Sequence, residues 1–221
     1  MHRSLCICGL LPRIATRTRV VLVVHQLEAP KPTNTGVVAA RCLENSALVY
    51  RGRAPDGGAP DTLSAELEAD VEPLVLFPHP SATPLDAWRG GEKPALLIVP
   101  DGTWPQAART RRRESGLARL PCVSLPAPAG DAGRLRAPPR PGQLATLEAV
   151  AIALGLLEGP AVATALMRVY RIMTERTLWT NGRVSAAQVT GGIPAGVRSH
   201  DPLQSLIATK KNVRTAPGET S

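Results

Sequence analysis

Five short runs along the chain are almost wholly apolar: residues 20–24 (VVLVV), 47–50 (ALVY), 74–77 (LVLF), 95–99 (ALLIV) and 122–125 (CVSL). A strand with one wet face alternates apolar and polar residues. Unbroken runs of this length instead predict strands covered on both faces, as in parallel sheets. Between and after them the period changes. Thr33 or Asn34 can cap a helix carrying Val37, Val38, Cys42 and Leu43, residues 62–69 read as a short acidic helix, and residues 105–115 read as a helix stopped at Gly116. Residues 143–157 bring Val150, Ala151, Leu154 and Leu157 onto one face, and residues 161–178 do the same with Leu166, Val169, Tyr170 and Met173. Strands alternating with helices predict an α/β fold, a mostly parallel sheet flanked by helices. From residue 184 the composition turns to Gly, Pro, Ser, Lys and Arg, so one domain over 1–183 and a flexible basic tail over 184–221 are expected.

The run at 95–99 stops at Asp101, and Gly102, Thr103, Trp104 and Pro105 follow. Pro105 suits the first turn of the next helix, so a carboxylate and an indole stand where a parallel strand ends. Ligands of open α/β sheets bind outside that edge. Asp-Gly is also a common turn and a Trp after a turn often only packs, so spacing alone leaves both readings open. The run at 20–24 ends at His25 and leads through Glu28 and Lys31 to Asn34, Thr35 and Gly36. Those charges read equally well as a solvated loop ion pair. Past Trp104, Arg109, Arg111, Arg112 and Arg113 crowd nearly two helical turns, too many to face a core, and form a basic surface beside the Asp101 edge.

Charge sharpens that surface. The chain carries 26 Lys and Arg against 18 Asp and Glu, a net +8, which suits a polyanionic partner such as RNA, although an Arg-rich genome produces the same excess. With six aromatic residues in 221, the core must be mainly aliphatic. No run is long enough to span a membrane and the start lacks the apolar segment of a secretory signal, so a cytoplasmic protein with reduced cysteines is expected. Cys6 and Cys8 supply two thiolates where structural zinc takes four ligands. They read as a remnant of a zinc site, or as a pair completed by Cys42, Cys122 or residues ahead of an internal start; zinc is not expected. The loop at 126–141, rich in Pro, Gly and Arg, holds Arg134 and Arg136.

Asp101-Gly102-Thr103-Trp104 resembles the signature of the DTW-domain family. Two more blocks agree in order: His25-x-x-Glu28-x-x-Lys31-x-Thr33-Asn34-Thr35-Gly36 ahead of it, and Arg136 followed by Thr146-Leu147-Glu148-Ala149 behind. The resemblance implies a tRNA-uridine aminocarboxypropyltransferase that uses S-adenosylmethionine, with a SPOUT-like fold and a C-terminal knot. It also implies that His25, Lys31, Asn34, Thr35, Gly36, Thr103, Arg136, Thr146 and Glu148 lie at the cofactor site.

In that chemistry the nucleophile is uridine N3, which must lose a proton. A carboxylate at the sheet edge is suited to take it, Asp101 first and Glu28 in reserve. Trp104 can stack on adenine or on the target base, or brace the motif loop. Lys31 or Arg136 can hold the methionine carboxylate, and Arg109, Arg111, Arg112, Arg113 and Arg134 can grip RNA phosphate. A methyltransferase with the same cofactor and a non-catalytic basic RNA-binding protein are the competing classes.

Overall fold

In the computed structural model the aliphatic runs become strands of one sheet, which among the described residues has six strands, all parallel. The structure describes residues 3–31, 34–51, 63–67, 70–126 and 144–197. The strands are β1 (Arg19–His25), β2 (Ser46–Arg51), β3 (Glu72–Leu76), β4 (Thr83–Pro84), β5 (Ala95–Asp101) and β6 (Cys122–Ser124), in the order β2-β1-β5-β3-β6-β4. β4, only two residues long and containing a proline, has no periodicity to announce it, and the hydrophobic pattern misses it.

β5 is buried at all seven positions, and β1 at its five central ones. Their alternate side chains serve two layers. Val21, Val23, Leu96 and Ile98 join a cluster with Val49, Val75, Leu63 and Leu117, the last two supplied by the residue just before α2 (Ser64–Leu67) and by the turn of α4 (Ser115–Ala118). On the other face α1 (Thr35–Cys42) packs on β1 and β2, and α5 (Thr146–Leu157) packs on α1 and β5. α1 turns Gly36, Ala39, Ala40 and Cys42 inward and leaves Val37 and Val38 half-buried. Small residues let its backbone approach the sheet. Burial pushes the Cys42 thiol up to about 11, which makes it an inert core group.

The strand order reverses between two central neighbours. From β1 the chain crosses through α1 to β2 on one side; from β5 it crosses through α3 (Trp104–Arg113) to β6 on the other. A crevice therefore opens between the carboxyl ends of β1 and β5, the topological switch point at which such sheets bind ligands. Asp101 ends β5 there, in register with Val24 of β1.

The chain divides into two units. One, residues 11–170, holds the sheet; among the described residues the other joins 3–10 to 171–197. In the second unit the buried Arg176, on the last turns of α6 (Pro160–Thr180), donates hydrogen bonds to the carbonyls of Leu5 (3.0 Å), Cys6 (3.0 Å) and Gly192 (3.1 Å). Glu175 accepts from the Thr190 amide at 2.6 Å, and Val189 is buried. Within the stretch that composition assigns to a flexible tail, Val189, Thr190 and Gly192 are held in this way, and residues 198–221 of it lie outside the described residues. No helix among the described residues is long and apolar enough to cross a membrane.

Candidate active site

Asn34 opens α1 in the way the pattern expects of a cap. Its Oδ1 accepts from the Val37 amide at 2.8 Å, satisfying one of the free donors of the first turn. Its Nδ2 is then aimed outward, donating to the Glu28 carbonyl at 3.2 Å and to Asp101 Oδ2 at 2.9 Å. The other oxygen of Asp101 accepts from the hydroxyl of Thr146, the first residue of α5. Asp101 is only 5% exposed, and both its oxygens are engaged.

Gly36 lies against the same carboxylate. A Cβ placed on Gly36 would stand 2.8 Å from Asp101 Cγ and within 3.0 Å of both oxygens. The bare backbone of α1's first turn is therefore a condition of the arrangement, and the positive end of the helix dipole faces the carboxylate.

The neighbouring residues follow from these anchors. Glu28 and Lys31 form an ion pair of 2.7 Å, with the Glu28 side chain mostly covered and that of Lys31 about half exposed. His25 Nδ1 accepts from the Leu27 amide at 3.3 Å, which shapes the turn leaving β1. Thr35 Oγ1 is 3.5 Å from the Leu147 amide of α5. Glu148 caps its own helix: its Oε2 accepts from the Ala145 amide at 2.9 Å, closing the first turn of α5. Thr103 is exposed, its amide held by Gln106 Oε1 at 2.7 Å. Arg134 and Arg136, and also Thr33, lie outside the described residues.

Beside Asp101, over the ends of β5, β3 and β6, is a cavity of about 210 Å³. Thr146 borders both the cluster and the cavity. Phe77, Val99, Trp104, Leu125 and Ala149 make the cavity predominantly apolar. Trp104, 39% exposed, stands at a tilt of 53° to Phe77 with ring centroids 6.0 Å apart. The sequence marks Phe77, the single Phe of the chain, only as the end of a strand; its rarity is the signal that could have singled it out.

Along α3 the exposed positions are Trp104, Pro105, Ala108, Arg109, Arg112 and Arg113, a strip running from the cavity mouth down the helix. Arg111 departs from it. It is half-buried, and its Nε donates to Cys122 Sγ at 2.9 Å. Among the described residues, no group of three or more His, Cys, Asp or Glu side chains is placed to hold a metal ion. Cys6 and Cys8 are exposed, Cys42 and Cys122 buried.

Asn34, Gly36, Asp101 and Thr146, from all three motif blocks, meet at one sheet edge, and a family model described as the DTW domain matches residues 1–178. The chain belongs to the DTW-domain family. It is similar to proteins named tRNA-uridine aminocarboxypropyltransferase 2: one from Drosophila melanogaster, 31% identical over 74% of this chain and 66% of the relative, and one from Mus musculus, 29% identical over 71% and 54%. One from Macaca fascicularis is 27% identical over the same shares as the mouse protein. The chain thus spans between about half and two thirds of the length of these relatives. No solved structure matches it. In this DTW domain the signature Asp and Trp divide the edge between them, the Asp holding the polar cluster and the Trp walling the cavity.

Proposed function

We propose that this protein is a tRNA-uridine aminocarboxypropyltransferase, moving the 3-amino-3-carboxypropyl group of S-adenosylmethionine to N3 of a tRNA uridine. The observation that carries the reading is the junction at Thr146, where an apolar, aromatic-walled cavity abuts a hydrogen-bonded polar cluster at the switch point. S-adenosylmethionine supplies an activated carbon chain on a sulfonium and releases methylthioadenosine when that chain is taken.

The residues present fit such a molecule in two parts. The cavity is smaller than the roughly 300–1,000 Å³ usual for whole drug-sized ligands, and its Phe77 and Trp104 walls suit a flat heterocycle such as adenine. Polar groups belong beside it, where Lys31 offers an ammonium for a carboxylate. The proton on N3 goes to one of the two carboxylates at this edge, Asp101 or Glu28. Arg109, Arg112 and Arg113 grip phosphates of the RNA that presents the uridine, while Arg111 braces α3 against β6. A SPOUT-like fold with a C-terminal knot and a cytoplasmic location belong to the same proposal; the all-parallel sheet supports the former.

Incubation of the protein with S-adenosylmethionine and unmodified tRNA, followed by mass spectrometry of nucleosides and small molecules, tests the reading. The expected result is methylthioadenosine together with a uridine heavier by one aminocarboxypropyl group. S-adenosylhomocysteine with a methylated nucleoside establishes a methyltransferase instead, and tight tRNA binding with neither product establishes a binding protein. Trp104→Ala is expected to lower kcat/KM by roughly 5- to 150-fold, the worth of one stacked ring; an unchanged value removes Trp104 from the site.

Replacing Arg109, Arg112 and Arg113 together by alanine is expected to flatten the dependence of log tRNA affinity on log salt by roughly 2–3 units of slope, with S-adenosylmethionine binding unaltered. Arg111→Ala is expected to leave that slope in place and lower the melting temperature. A slope unmoved by the triple replacement places the RNA elsewhere.

A further inference from the structure

We propose that Asp101, the acid of the signature, is a positioning residue, and that the proton of the nucleophile goes to Glu28. The inference deepens the aminocarboxypropyltransferase reading and rests on it. A general base needs an oxygen open to the proton it takes, and among the described residues Glu28 has Oε1 engaged by Lys31 and no hydrogen bond on Oε2. Asp101 is nearly fully buried, with Asn34 donating to one oxygen and Thr146 to the other, and Gly36 presses the α1 backbone against its face.

Those contacts come from three separate stretches of chain. Asn34 and Gly36 belong to the start of α1, Thr146 to the start of α5, and Asp101 itself to the end of β5. Asn34 is also tied to the Glu28 carbonyl, and Thr146 borders the cavity. One carboxylate thus sets the distance between the Glu28–Lys31 pair on one side and the aromatic cavity on the other. A ligand that must present a single carbon to attack requires that spacing to be held, because a misplacement of about 1 Å costs on the order of a hundredfold in rate.

Asparagine at this position separates the two roles. Its carbonyl oxygen can accept from Asn34 and its amide can donate to the Thr146 oxygen, since a hydroxyl takes either part. The latch survives while basicity disappears. Asp101→Asn is therefore expected to keep kcat/KM within about tenfold of the parent protein and to keep the acid limb of its pH profile, whereas Asp101→Ala loses at least a hundredfold. Glu28→Gln is expected to abolish the acid limb.

An Asp101→Asn protein that melts like the parent yet is as inactive as Asp101→Ala, or that has lost the acid limb, overturns the proposal and makes Asp101 the base. The parent protein is assayed alongside: no methylthioadenosine from it refutes the aminocarboxypropyl reading, and melting temperatures then decide the latch. Asparagine close to the parent with alanine several degrees lower supports it, and equal losses overturn it.

Discussion

Gly36→Ala is expected to abolish most of the activity and to destabilise the fold, against the intrinsic preference of helices for alanine. In an open helix the change is favourable by about 1 kcal/mol. Here the new methyl stands 2.8 Å from Asp101 Cγ, and all three atoms of the carboxyl group lie closer than Cβ contacts ordinarily allow. The carboxylate has nowhere to retreat, because one oxygen is held by Asn34 and the other by Thr146. Either α1 lifts from the sheet or Asp101 releases its partners, at a cost of roughly 1–3 kcal/mol typical of overpacking. A thermal melt and a kcat/KM measurement check this, with the activity loss expected to exceed tenfold. Combining Gly36→Ala with Asp101→Ala is expected to cost less stability than the sum of the two, since the second change removes the group the first collides with. A rise in melting temperature for Gly36→Ala alone would show that α1 does not lie against Asp101.

Arg176→Ala is expected to bring the largest loss of stability, centred on the unit that joins residues 3–10 to 171–197. The guanidinium is 3% exposed and serves three backbone carbonyls, from Leu5, Cys6 and Gly192. Burial lowers its pKa, which reports the cost of keeping the charge out of water. The hydrogen bonds offset that cost, and each bond to a charged group is worth roughly 1.5–3 kcal/mol. Truncation leaves the carbonyls without their donor, so a loss of about 3–5 kcal/mol is expected, close to that of breaking a buried charged contact. Hydrogen exchange checks it by location: amides of residues 3–10 and 186–192 lose protection first. Uniform loss across β1 and β5 would mean that Arg176 supports the whole chain rather than its own unit.

The order of the elements was legible because each element rests on local pattern. The runs at 20–24 and 95–99 are unbroken because β1 and β5 are covered on both faces, and they reappear as strands two residues longer, the excess going to partly polar ends such as Arg19 and Asp101. The helix expected at 143–157 starts at Thr146 and stops at Leu157. Where the pattern failed, a longer-range cause intervened. Which face α1 buries was not legible, because its closeness to the sheet, which the sequence does not state, decides that Gly36, Ala39, Ala40 and Cys42 fit underneath. The helix expected over 105–115 breaks at Glu114, whose carboxylate is drawn to Arg51 at 2.8 Å.

By itself the sequence determined the alternation of strands and helices, the excess of positive charge, and the three motif blocks by which the chain is assigned to its family. Asn34, Gly36, Asp101, Trp104 and Thr146 could be named from those blocks, but not their partners, nor Phe77. Only the tertiary structure brought Asn34 and Thr146, 67 and 45 residues from Asp101, onto its two oxygens, laid Phe77 against Trp104, turned Glu148 back onto its own helix and took Arg111 out of the basic strip. The physical reason is range. Periodicity and capping act over a few residues and can be read along the chain, whereas a contact between distant residues depends on how closely two packed layers approach, and that distance is fixed by the side chains of both.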